Sequence, residues 1–142
     1  MTKGLFYLLS FTWGLPMTLC GMIASIAMIA TGHKPKKWGW SWYFEVGNGG
    51  DGFTMGPFFF VGPRASEHTK SHEFGHGIQN TQLGPMMLLV TLMSIARYWY
   101  REFKHYAFKI RYADMKPYDS AWWEEDATRL GTEMIEKLNE DN

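Results

Sequence analysis

The stretch SEHTKSHEFGHGIQNTQLGP, residues 66–85, decides how the rest of the chain is read. Ser66 is placed to cap a helix and Gly84-Pro85 to end it, so the pattern predicts a helix over 66–81. On such a helix His72 and His76 stand one turn apart on one face, within reach of a single metal ion, with Glu73 between them. Zinc suits a pair of imidazoles, and the intervening carboxylate can take a proton from a water that the metal activates. His72 and His76 are therefore candidate ligands of Zn²⁺, and Glu73 a candidate general base.

A catalytic zinc takes three protein ligands and leaves one position open, so a ligand is missing. The extended pattern H-E-x-x-H-x-x-G-x-x-H is not met, because Gln79 and Gln82 stand where it needs glycine and histidine. Cys20 is the sole cysteine and lies in an apolar run, which excludes both a disulfide framework and a thiolate ligand outside that run. The ligand must come from far along the chain. A helix is predicted over 120–138, capped by Asp119 or Ser120, with an apolar stripe of Trp123, Ala127, Leu130, Met134 and Leu138. It offers three acids. Glu125 shares its face with Arg129, Thr132 and Glu136, and Asp126 with Arg129 and Glu133, both polar faces. Glu124 shares its face with Ala127, Thr128 and Gly131, small residues that admit a neighbouring helix, and is the expected third ligand. Gly75 likewise clears room for another backbone or for substrate. His68 extends the histidine series by a turn, but its spacing from His76, about 12 Å along the axis, is too great for one ion. It reads as a first-turn polar or supporting residue.

Outward from this centre, Lys and Arg balance Asp and Glu at 14 each, which gives no field for nucleic acid. Charge is unevenly spread. No charged residue occurs from Gly4 to Gly32, long enough to cross a bilayer core of about 30 Å as one helix. The basic group His33, Lys34, Lys36 and Lys37 follows directly. An uncleaved transmembrane anchor is expected over 1–37, with the basic flank in the cytoplasm and the N-terminus outside. Trp38–Gly47 and Phe53–Gly62, two aromatic runs around an Asn/Gly/Asp cluster, predict a β-hairpin over 38–62 in which Pro57 confines the second strand to an edge. Residues 85–104 predict an apolar helix. Its uncharged part is short for a span, so it reads as a buried, re-entrant or interfacial helix, with a second span over 83–100 as the alternative.

An H-E-x-x-H helix followed by a glutamate on a later helix resembles the gluzincins, zinc metallopeptidases that often set that glutamate in E-x-x-A-D. Here the matching run is Glu124-Glu125-Asp126-Ala127-Thr128, with threonine in place of the aspartate that supports a histidine ligand. Nearly the whole chain also resembles small bacterial membrane proteins of unassigned activity. The shared runs include TWGLPMTL (12–19), TGHKPKKWG (31–39), HEFGHGIQN (72–80), RYWYRE (97–102) and ATRLG (127–131). The resemblances imply a mainly α fold with a small β-hairpin, built as a transmembrane helix (1–37) plus a compact zincin-like helical domain (38–142). They imply a membrane-anchored metalloprotease of the bacterial cytoplasmic membrane, its zinc site facing the cytoplasm and acting on a peptide or protein substrate. Tyr112, Tyr118, His105 and Arg129 are the candidates for steadying the oxyanion. The competing expectation is a non-enzymatic membrane scaffold with an enclosed, structural zinc, motivated by the small size of the domain.

Overall fold

The computed structural model describes residues 1–141, the side chain of Asp119 excepted, so any cap from Asp119 and the last residue of the expected polar tail, Asn142, lie outside the described residues. The chain is mainly helical with one small sheet. In order run α1 (Lys3–Ser10), α2 (Leu15–Ala30), β1 (Lys36–Trp38), β2 (Ser41–Glu45), β3 (Gly52–Met55), β4 (Phe58–Val61), α3 (Glu67–Leu83), α4 (Met87–Phe108) and α5 (Trp122–Glu140).

The uncharged N-terminal run does not make one long helix. α1 and α2 meet at 92°, and no single helix among the described residues is long and apolar enough to cross a membrane; only the bent pair together has the length and composition. The cause is local. Pro16 starts α2 in its first turn, where its missing N–H costs nothing, and Gly14 occupies the cap. The elbow is then locked from α3. The Asn80 side-chain amide donates to the Gly14 carbonyl (3.3 Å), and a Cβ on Gly14 would lie 2.3 Å from that amide nitrogen. Phe6 of α1 is fully buried with Trp40, Phe74 and Ile78 in one core.

The expected single hairpin is instead two hairpins. The sheet order is β1-β2-β4-β3, with β1–β2 and β4–β3 antiparallel and β2–β4 parallel, Trp42 opposite Phe58 and Glu45 opposite Val61. Each aromatic run folds back on itself at a glycine in the left-handed region, Gly39 (φ 57°) and Gly56 (φ 65°), which a side chain would strain. Pro57 therefore sits in a turn, and β4 is an inner, buried strand. Stacked ring pairs Tyr43–Phe59, Phe44–Phe60 and Phe53–Phe60, 5.0–5.7 Å apart, tie neighbouring strands. β3 is left at the edge.

α3 forms as its caps predict, with the Ser66 hydroxyl accepting from the Thr69 amide (3.1 Å) and a break at Gly84-Pro85. α5 begins without a side-chain cap, and Ser120 bonds to the Pro117 carbonyl instead. α3 and α5 cross at contact distance on small residues. A Cβ on Gly75 would lie 1.8 Å from the Ala127 carbonyl oxygen, and one on Gly131 equally close to that of Ser71.

α4 is not a buried core helix. Only Met87 and Val90 are buried, packed with Met17 of α2, while Leu88, Leu89, Leu92, Ile95, Trp99 and Phe103 are exposed. A strap over 109–120 returns along it to α5. The strap is fastened by arginines, Arg97 donating to the Tyr118 and Pro117 carbonyls (both 2.8 Å) and Arg101 to that of Lys116.

Candidate metal centre

The close crossing of α3 and α5 brings together the three residues chosen by helix facing. His72 and His76 both direct Nε2 at the same oxygen of Glu124, Oε2, at 3.2 and 3.1 Å. Candidate ligand atoms of His72, His76 and Glu124 all lie within 4.8 Å of one another, which makes the group able to hold a metal ion. His68 is outside it, exposed at the mouth of the adjoining cleft.

The surroundings fix each donor. The Thr128 hydroxyl donates to the Glu124 carbonyl (3.1 Å), which leaves its lone pairs to accept from His72 Nδ1–H at 2.8 Å. Threonine thus does on α5 what a carboxylate does in the resembled pattern. Gln79 serves His76. Its amide nitrogen donates to the Trp123 carbonyl (2.8 Å) and Asp126 Oδ2 (2.9 Å), so its oxygen must face His76 Nδ1, also 2.8 Å away. Both imidazoles are thereby held with hydrogen on Nδ1, so Nε2 is the nitrogen that donates to Glu124 when it carries a proton and that faces a metal when it does not. Glu124 is held equally firmly. Its Oε1 accepts from Ser94 and from Trp123 Nε1 (3.0 Å), freeing Oε2 for the shared point.

Electrostatics agree with the geometry. Burial by itself would raise the Glu124 carboxyl, but hydrogen bonds from His72, His76 and Ser94, with the charge of His76, outweigh it and hold the group well below the usual carboxylate range. Burial would lower His76, yet its bond to Glu124 and the nearby charges of Glu73 and Glu124 leave it raised. With any Nε2 proton displaced, the two imidazoles and the anionic oxygen, pre-aimed at one point, fit a metal cation.

Glu73 is buried beside this group, its Oε2 accepting from the Thr54 hydroxyl of β3 at 2.6 Å. Gly52 makes room, since a Cβ there would meet the Glu73 carboxylate at 3.0 Å. His72, Glu73, His76 and Glu124 lie along a cleft of about 760 Å³ between β3 and α4, within the ~300–1,000 Å³ of ligand sites. Of the four oxyanion candidates, Tyr112 and Tyr118 line the cleft. Tyr118 is pushed up to about 12 by burial and by the Glu124 charge, so it stays protonated, and its hydroxyl donates to the Ser94 carbonyl at 3.1 Å. Tyr112 is engaged with Glu102 (2.7 Å). His105 stacks on Tyr112 and bonds the Ile110 carbonyl, and Arg129 is paired with Asp126 and Glu133 on the outer side of α5.

Sequence reasoning did not single out Gln79, Ser94, Trp123 or Thr54. Gln79 carries a usable signal, since i,i+3 spacing puts it over His76. Ser94 is one of only two polar residues in Met86–Ala96. Thr54 has no local signal, because its role depends on where the sheet edge meets α3. No family model, curated protein or solved structure matches this chain.

Proposed function

We propose that the chain is a membrane-associated zinc metallopeptidase of the gluzincin type. The observation that carries this reading is the convergence of His72 Nε2, His76 Nε2 and Glu124 Oε2 on one point beside a cleft that Glu73 also lines. A zinc ion held there would supply Lewis acidity, polarising a substrate carbonyl and lowering the pKa of water to about 7. The Glu73 carboxylate, kept in place by Thr54, takes the proton of the attacking water and delivers it to the departing amine. The Tyr118 hydroxyl, protonated at neutral pH, serves a developing oxyanion by turning its proton away from the Ser94 carbonyl. The edge strand β3 offers backbone groups to an extended peptide.

The cleft weighs against an enclosed, structural zinc, which would have four protein ligands and no open face. Membrane association is supported by the uncharged helices and their cationic border. α2 has 16 residues, or about 24 Å, against a bilayer core of about 30 Å. It therefore enters lipid with α1 as a bent, partial insertion rather than as a simple span. Lys34, Lys37, Arg97, Arg101 and Lys104 border the uncharged segments. Arg97 and Arg101 bond carbonyls, and Lys37 and Lys104 lie over Trp42 and Tyr100, so their charges remain available to anionic headgroups. The cationic border supports a zinc site on the cytoplasmic side. The test is hydrolysis of labelled peptides by the purified chain in lipid vesicles, with zinc content measured alongside. Glu73→Gln should bind zinc and lose hydrolysis; equal cleavage by parent and variant would sink the assignment.

A further inference from the structure

The walls of the cleft differ from its floor. The floor is polar: His72, Glu73, His76, Glu124, Ser94 and Tyr118. The walls are Phe53 and Met55 on β3 and Val90, Ile95 and Trp99 on α4. Ile95 and Trp99 are also 49% and 65% exposed, so they belong both to the cleft and to the outward face of α4 that carries Leu92 and Phe103. Ile95 and Trp99 thus carry the cleft onto the outer face of α4, while the charged lining residues of that helix, Arg101 and Glu102, lie further toward its C-terminus. That outward face adjoins α2, which packs on α4 through Met17, Met87 and Val90 and exposes Ile23, Ile26 and Ile29. A polar peptide gains little from contact with Phe53, Met55, Ile95 and Trp99, whereas an apolar segment buries its side chains against them.

We infer that the cleft takes an extended apolar segment of a membrane protein, entering from the lipid side between β3 and α4. This rests on the peptidase reading above and names its substrate class. Such a segment has a specific need. Once unwound from a helix near hydrocarbon, its backbone N–H and C=O groups must find partners. The edge strand β3 provides a row of them along the same cleft, and Glu73 is joined to that strand through Thr54. The apolar walls then receive the side chains, and the polar floor receives the scissile carbonyl.

The experiment places the full chain in phosphatidylcholine–phosphatidylglycerol vesicles with two peptides, each anchored by the same transmembrane helix. One has a Leu/Phe-rich juxtamembrane core and the other a Ser/Gln core of equal length. The apolar core should be cleaved with kcat/KM about tenfold or more above the polar one. The double variant Ile95→Asp, Trp99→Glu should lose that preference while its zinc content stays at the parent level. Equal or better cleavage of the polar core, or an undiminished preference in the double variant, overturns the inference and leaves the peptidase reading intact. If the parent cleaves neither, Glu73→Gln chain carrying a photo-crosslinking phenylalanine at position 99 decides. Preferential capture of the apolar core keeps the ligand class and removes the peptidase reading, and equal capture of both removes the ligand class as well.

Discussion

The backbone carbonyl of Ala127 occupies the space that a side chain on Gly75 would fill, 1.8 Å from where its Cβ would be. The first residue lies on α5 one turn past Glu124 and the second inside the H-E-x-x-H pentapeptide, so the distance between ligand-bearing helices is set by an absent methyl group. Gly75→Ala must push α5 outward. Overpacking of this kind costs about 1–3 kcal/mol, and here it also separates Glu124 from the histidines. A lower melting temperature with less bound zinc is expected; a variant as stable and as zinc-loaded as the parent contradicts the contact.

Gln79→Ala removes the acceptor of His76 Nδ1–H and the amide's bonds to Asp126 Oδ2 and the Trp123 carbonyl. Loss of such a partner costs about 10–100-fold in metal affinity, which competition with a zinc chelator will read. Thr128→Asp should act in the opposite sense on His72, tightening zinc, because a carboxylate is the stronger acceptor.

Thr54→Val keeps the size of the side chain and removes the hydroxyl that fixes Glu73. Zinc content should be unchanged and kcat should fall about tenfold or more, given that a positioned base contributes about 10²–10⁴-fold. A drop in zinc content with kcat per zinc preserved would show that Thr54 supports the fold rather than the base.

The metal-free chain should have a characteristic pH profile. Glu124 is lowered from 4.5, so its contribution to stability is present above pH 4.5 and is lost as pH falls through the lower native value. His76 is raised from 6.5, so its contribution is present below pH 6.5 and is lost as pH rises through the higher native value. Their joint contribution is therefore largest between pH 4.5 and 6.5. Zinc competes with the proton on His76, so the stabilisation it adds should grow as pH rises above that window. Thermal unfolding with and without zinc from about pH 2 to 8 tests both slopes.

Much of the site was legible from local pattern. Ser66, Gly84 and Pro85 mark the ends of α3, and four-residue spacing puts His72 and His76 on one face. The small residues Ala127 and Gly131 identify the side of α5 that meets a neighbour, which selects Glu124 over Glu125 and Asp126. Periodicity worked there because a helix turns its own neighbours into a face. It failed in the sheet, where the parallel pairing of β2 with β4 joins residues sixteen apart, Trp42 with Phe58, through no local rule. Gly39 and Gly56 carried the turns but were hidden within aromatic runs. The N-terminal run misled for a similar reason, since hydropathy counts apolar residues and is blind to an elbow that Asn80 holds from sixty-six positions away.

The strap over 109–120 has a consequence of another kind. Arg97 and Arg101 grip it by the carbonyls of Lys116, Pro117 and Tyr118, groups that every amino acid possesses. Its course is thus specified largely by the helix it crosses, with Tyr112 and Tyr118 adding side-chain bonds to Glu102 and to the Ser94 carbonyl. The exposed Lys116, held by its carbonyl, can therefore be exchanged without displacing the Tyr118 ring from the cleft, which makes it a place to install a tag or probe while the metal centre stays as it is.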